Sequence, residues 1–223
     1  MYKRAILLVF ATLGTVAAAD DLTHADPRKV YLFYLHGRII EEAGPRPIDD
    51  AWGLYDYPAV VDAMGSRGAV VVSEQRPRDT NVAEYAAKVV SQIDALVQAG
   101  VPESQIAVVG FSKGGSIAMF ASALPSNQHR DIKYVFLAAC VEPLAERPRL
   151  SLKGHVLSIR EASDDLTKSC RPVADYSGNL QSLSEMTIDT GAQHGAFYLP
   201  REEWTIPTLQ WVHGGYQARG AEP

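Results

Sequence analysis

The stretch 107–120, AVVGFSKGGSIAMF, holds a serine in a setting suited to nucleophilic chemistry. Gly110-Phe111-Ser112-Lys113-Gly114 fits the pattern G-x-S-x-G, with an apolar run before it and a helix-like run after it. That context is a strand-to-helix turn so tight that the serine takes an unfavourable backbone conformation and its hydroxyl stands out above the sheet. Side chains at Gly110 and Gly114 would collide with neighbouring backbone. The positive end of the following helix lies beside Oγ. The chemistry expected of Ser112 is attack on a carbonyl carbon. A phosphate-binding loop is excluded, because Lys113 precedes Gly114-Gly115 and is not followed by Ser or Thr.

A serine hydroxyl is a weak nucleophile at neutral pH and needs a base. Of the six histidines, His24 lies near the start, His36 ends a strand, His129 sits in a polar loop, His155 opens a strand and His213 is near the end. His194, in DTGAQHGAFY, follows the last strand, where Gly191 and Gly195 let the loop fold back over Ser112. An imidazole base needs a carboxylate to set its tautomer and stabilise its cation. The segment REASDDLTKSC offers Glu161, Asp164 and Asp165. Asp164 is favoured and Asp165 is the alternative; Glu161 is too close to the strand end, and the unused acids are expected to be solvated. A tetrahedral intermediate also needs oxyanion donors. The N–H of Lys113, directly after the nucleophile, is one. The loop YLHGRIIEE supplies the other, from Arg38 or from Ile39 if the loop is shifted.

Six strand-like runs position these groups: 29–37, 68–75, 105–110, 132–140, 154–161 and 185–191. They are short and continuously apolar, as strands covered on both faces are. Helical patterns lie between them. In 80–100, Val82, Tyr85, Ala86, Val89, Ile93, Leu96 and Val97 recur at helical spacing, with Asp79 or Thr80 as cap and Gly100 as stop. Further helices are expected at 54–64, begun near Tyr57-Pro58, at 112–123, at 172–183 with an interruption near Gly178, and at 204–216, where Pro207 limits the start. Alternation from end to end predicts an α/β fold: a doubly wound, mainly parallel sheet of about six strands with helices on both faces. Chemistry then collects at the carboxyl ends of the strands, where Ser112, Asp164 and His194 all fall.

Residues 1–19 read as a signal peptide: a basic start, the apolar run AILLVFATLG, and a small-residue site ending at Ala19. Residues 20–223 then form a single domain, exported to a periplasm or secreted. Of 21 basic side chains, Lys3 and Arg4 lie in this leader; the remaining 19 against 26 acidic ones give a net charge of −7. That balance argues against nucleic acid as a partner. No other stretch is long enough to span a membrane. Cys140 and Cys170 are an even pair in an exported chain, which favours a disulfide; closing a loop of about 30 residues would contribute roughly 3.5 kcal/mol. Arg76 and Arg78, in EQRPRDT, could hold an anionic group of a substrate. The long connection 37–57 could bring Trp52, Tyr55 and Tyr57 to a cleft.

Together YLHGRIIE, SEQRPR, VVGFSKGG, VFLAAC, SIREASDD with the later SC, and QHGAFYLP resemble the α/β-hydrolase superfamily over residues 29–212, in a small exported bacterial form. The chain order Ser112, Asp164, His194 is that of the superfamily's triad. His36-Gly37 resembles the HG dipeptide of its lipases and esterases. The resemblance implies a serine hydrolase acting on a small acyl substrate, most simply a carboxylic ester, with no metal or organic cofactor. Peptidase, amidase and acyltransferase activities use the same triad, and a binding protein can keep the fold without turnover. The resemblance also implies that Cys140 and Cys170 stand together at the ends of adjacent strands and brace the Asp164 loop. The little chain before the first strand implies that the superfamily's first antiparallel strands are absent. No insertion long enough to form a lid is visible.

Overall fold

A computed structural model describes residues 16–17, 22–141 and 150–216. Apart from Val16–Ala17, the expected leader lies outside them. The strands of the main sheet are β1 (Val16–Ala17), β2 (Tyr31–Leu35), β5 (Val70–Val72), β6 (Ile106–Phe111), β7 (Lys133–Leu137), β8 (Lys153–Glu161) and β9 (Asn179–Ile188). A separate hairpin, β3 (Ile48–Asp49) and β4 (Gly53–Leu54), is antiparallel. The main sheet has the order β1-β5-β2-β6-β7-β8-β9, and its neighbours all pair parallel. No antiparallel strand joins this sheet among the described residues. The six expected strands are present, and β1 adds two residues at one edge.

The apolar runs reflect burial on both faces. All six residues of β6 are buried. Ile106 and Val108 face a core shared with α3 (Val82–Gln98) and α4 (Lys113–Ala123). Ala107, Val109 and Phe111 face the opposite core, with α2 (Tyr57–Gly65) and α6 (Glu202–Val212). Each large aliphatic side chain so buried contributes about 1.5–3 kcal/mol.

Local chemistry sets the helix ends. The Asn81 side chain caps α3 by accepting from Ala83 and Glu84 N–H; Asp79 and Thr80 do not. Asp79 instead takes a positive φ, 59°, and the Thr80 hydroxyl donates to Pro77 O. Asp56 caps α2 through Ala59 N–H, with Pro58 in the first turn. The expected helix at 172–183 is only α5 (Arg171–Asp175), and β9 begins at Asn179, not 185. Leu180 and Leu183 pack on the core, and β8 offers a free edge to pair with. Tertiary pairing decides what a mixed polar and apolar pattern leaves ambiguous. Helix α6 begins at Glu202 and carries Pro207 inside it. The connection 37–57 folds as α1 (Arg38–Ala43) and the β3–β4 hairpin.

The chain runs from β2 outward to β5, then returns to β6 on the other side of β2. The crossovers after β2 and β6 therefore leave the sheet in opposite directions. A crevice opens between their carboxyl ends, as at any switch point in such a sheet. The loops after β2 and β6 meet there.

Candidate active site

Ser112 is the residue between β6 and α4. Its backbone takes φ 53° and ψ −116°, a conformation that non-glycine residues adopt only under constraint. The constraint is visible at two glycines. A Cβ on Gly110 would lie 2.2 Å from Gly114 O, and one on Gly114 would lie 1.9 Å from Leu35 O. Helix α4 thus presses directly on the end of β2, and the Ser112 N–H donates to Leu137 O at 2.9 Å. Lys113 is the first residue of α4, so its N–H has no partner within the helix. Arg38 holds the same position in α1, after Gly37.

His194 lies in the short 3-10 segment Gln193–Phe197 that follows β9. Its Nδ1 is 2.8 Å from Asp164 Oδ2, and both residues are buried. Asp164 also accepts from the Leu166 N–H at 3.1 Å and the Thr167 hydroxyl at 3.1 Å. Burial pushes the Asp164 carboxyl up; the His194 ring, Leu166 N–H and Thr167 hydroxyl outweigh it, and the net shift is downward. Asp165 is exposed and makes no contact with His194. The His194 ring lies between Trp52 and Phe111, with centroids 5.2 and 4.9 Å away. A Cβ on Gly195 would meet Trp52 Cβ at 2.6 Å, so the loop can seat against the hairpin only with glycine there.

Ser112 and His194 line one cleft of about 560 Å3 with Arg38, Ile39, Trp52, Phe111, Leu166 and Tyr198. A larger cleft, about 960 Å3, lies between β9 and α6 and contains neither of them. Trp52 reaches the site as expected. Tyr55 and Tyr57 do not: both are buried, Tyr55 stacked on Tyr198 at 4.6 Å and bonded to Tyr34 Oη. Among the described residues no group of three metal-ligating side chains converges.

The arginines call for a correction. Arg76 is wholly buried and lines no part of the cleft; its Nε donates to Glu41 at 2.8 Å and Nη2 donates to His36 O. Arg78 donates to Glu42 O at 2.8 Å, outside the cleft. Glu41, itself buried, also holds the Lys113 ammonium at 2.5 Å. His36 is the fourth member of this cluster. Its Nδ1 donates to Gly37 O at 2.8 Å and its Nε2 accepts the Arg76 N–H at 2.9 Å. Burial, then the Arg76 charge, lowers its pKa to about 3, so it stays neutral. The cluster ties the loop after β2 to the loop after β5 and to the first residue of α4. Arg76 therefore acts on the scaffold, because its buried guanidinium is engaged by Glu41 and His36 O away from the cleft, and the exposed Arg78 lies outside the cleft as well.

Glu161 is the second correction. It is not solvated: it is wholly buried and accepts hydrogen bonds from Ser163, Thr190 and Gly191. Cys140 and Cys170 form a disulfide with Cα atoms 5.4 Å apart. Cys170 caps α5 just beyond the Asp164 loop, and Lys168 N–H donates to Cys140 O at 2.7 Å. The sequence singles out neither Glu41 nor Phe111 as a site residue, and offers Glu161 only as a disfavoured candidate for the triad acid. Their only signal was a charged or bulky residue within a motif-bearing loop.

The model of the phospholipase/carboxylesterase family matches residues 69–147. No curated protein matches the sequence. Among solved structures, SOBER1 of Arabidopsis thaliana superposes with a TM-score of 0.53 at 12% identity, covering 84% of this chain and 99% of that one. A hyperthermophilic esterase from the archaeon Pyrobaculum calidifontis gives 0.56 at 16%, covering 85% and 77%. An arylesterase gives 0.57 at 12%, covering 84% and 76%. With its parallel sheet, its switch-point crevice and its strained Ser112 turn, the chain has the α/β-hydrolase fold of these structures.

Proposed function

We propose that the protein is a serine hydrolase acting on a carboxylic ester through Ser112, His194 and Asp164. The observation that carries this reading is the 2.8 Å contact between His194 Nδ1 and Asp164 Oδ2, with His194 lining the same cleft as the strained Ser112. In the proposed reaction Ser112 Oγ attacks the ester carbonyl while His194 Nε2 takes its proton. Asp164, ionised, fixes His194 with Nδ1 protonated and stabilises the imidazolium. The oxyanion accepts hydrogen bonds from the N–H groups of Lys113 and Arg38. Collapse of the tetrahedral intermediate expels the alcohol, which receives the proton from His194. Water then repeats the sequence in reverse on the acyl-enzyme and releases the acid. The proposed steps use side chains and backbone N–H groups of this chain together with water, and call for no cofactor.

The family match to phospholipases and carboxylesterases supports an ester over an amide. A disulfide and a leader-like N-terminus support export. Cleavage after Ala19 would remove β1 from the sheet edge and leave the six longer strands intact.

Labelling with a fluorophosphonate tests the reading: the wild-type protein should label, and Ser112→Ala should not. Equal labelling of the two, or none of either, refutes it and favours a binding protein on the same fold. A panel of short and long acyl esters, peptides and acceptor alcohols separates esterase, peptidase and acyltransferase. Sequencing the mature N-terminus from an exporting host should return Asp20; Met1 would refute export by this leader.

A further inference from the structure

Beyond the residues that would meet substrate, Glu161 holds a position that a packing role alone does not require. A carboxylate taken wholly out of water costs several kcal/mol unless its oxygens are well satisfied. Here both oxygens are satisfied, and each by a different loop. Oε2 accepts the Ser163 N–H at 2.7 Å and the Ser163 hydroxyl at 2.6 Å. Oε1 accepts the Thr190 and Gly191 N–H groups at 3.0 and 3.1 Å. No ion pair reaches Glu161 among the described residues. Burial raises its pKa, and the Ser163, Thr190 and Gly191 donors more than reverse the rise, so the group is held as a carboxylate.

The placement follows from the sheet. Glu161 and Ile188 are the last paired residues of β8 and β9, and the Ala162 N–H makes one further bond to Ile188 O. Beyond this point the two chains part, and their N–H groups lose strand partners. The carboxylate takes the place of the missing rungs. One oxygen ends one residue before Asp164 and the other three residues before His194. A cross-link joins the two loops again: Ser163 Oγ accepts the Gln193 N–H at 3.3 Å, directly before His194.

We infer that Glu161 is a positioning residue. As a carboxylate shared by the acid loop and the histidine loop, it sets their spacing so that Asp164 Oδ2 and His194 Nδ1 meet. The inference rests on the hydrolase reading for its effect on turnover, but not for its effect on the Asp164–His194 contact.

The test compares wild type, Glu161→Gln, Glu161→Ala and Ser163→Ala, each verified as folded by circular dichroism. Two readouts are taken. The first is kcat and KM on p-nitrophenyl butyrate. The second is the far-downfield proton resonance of His194 Nδ1–H, recorded in a Ser112→Ala background so that it does not depend on turnover. Glu161→Ala should lower kcat by about 10²-fold with little change in KM, and should lose or broaden the resonance. Glu161→Gln keeps an acceptor for Thr190 and Gly191 but sets its amide against the Ser163 N–H, so it should fall between wild type and Glu161→Ala. Ser163→Ala should show a smaller loss than Glu161→Ala. If Glu161→Ala does not fold, Glu161→Gln decides. A folded Glu161 variant with kcat within about threefold of wild type, or with the resonance unchanged, overturns the inference. If wild type hydrolyses no ester while the resonance is lost in Glu161→Ala, the hydrolase reading alone fails and the positioning role stands.

Discussion

Asp164 and Asp165 are adjacent carboxylates with opposite surroundings. Asp164 is buried against the His194 ring, whereas Asp165 faces solvent. Only the first can orient the imidazole, and this separates them experimentally. Asp164→Asn should lower kcat by roughly 10³–10⁴-fold, since an amide at that position stabilises the wrong tautomer. Asp165→Asn should leave kcat within about twofold, as an exposed substitution with no partner does. Steady-state kinetics on one ester measures both. Lys113 shows a second division at this scale. Its N–H is free at the start of α4, while its ammonium is engaged by Glu41.

Between elements, two devices secure the site. On the Ser112 side, Glu41 of α1 holds Arg76 after β5 and Lys113 of α4. Removing Glu41 would leave a wholly buried guanidinium without its partner, so Glu41→Ala should destabilise the fold by about 3–5 kcal/mol in chemical denaturation. Lys113→Met should cost less, because that ammonium can reach solvent. On the acid side, the disulfide closes a loop of 30 residues around β8. Its reduction should cost roughly 3.5 kcal/mol in the chain-entropy model. Because the Asp164 loop lies between Glu161 and Cys170, kcat should fall with reduction at temperatures where the domain is still folded. Activity and circular dichroism followed together under reductant measure this. Unchanged activity in the fully reduced, folded protein would show that Glu161 and Thr167 suffice to hold Asp164.

Across the whole molecule, a cluster outside the cleft gives the fold a dependence on pH. His129 bonds Asp94 of α3 at 2.7 Å and Glu103 at 2.9 Å, before β6. Burial pushes the His129 pKa down; the two carboxylates outweigh it, and the net shift is upward from 6.5. A group whose pKa is raised on folding stabilises fully below its unfolded value and loses that contribution as pH rises through the folded value. The melting temperature should therefore fall as pH rises above 6.5 more steeply in wild type than in His129→Gln. Equal slopes would refute the contribution. Since His129 lines no part of the cleft, kcat for the two proteins should agree at a common pH below the melting range.

The alternation of apolar runs with helical patterns was enough to establish the α/β class and the order of the six longer strands along the chain. Burial on both faces leaves a mark that can be read one residue at a time. The G-x-S-x-G glycines were legible for a similar reason: Gly110 and Gly114 answer a local steric demand that no other residue meets. Glu41, Arg76 and Glu161 were not legible. Their meaning depends on which segments the sheet brings together, and the sequence holds those segments tens of residues apart. Arg76 resembled a ligand arm until α1 placed Glu41 beside it. Glu161 resembled a spare surface acid until β8 and β9 parted around it. The boundary of β9 was lost for the same reason, since its first half is a strand only because β8 is there to pair with it. Residue types and chain order by themselves determined the chemistry this protein could attempt. Only the tertiary structure decided which charged groups face the cleft and which are buried to hold it, because burial and pairing are properties of the neighbours a residue acquires on folding.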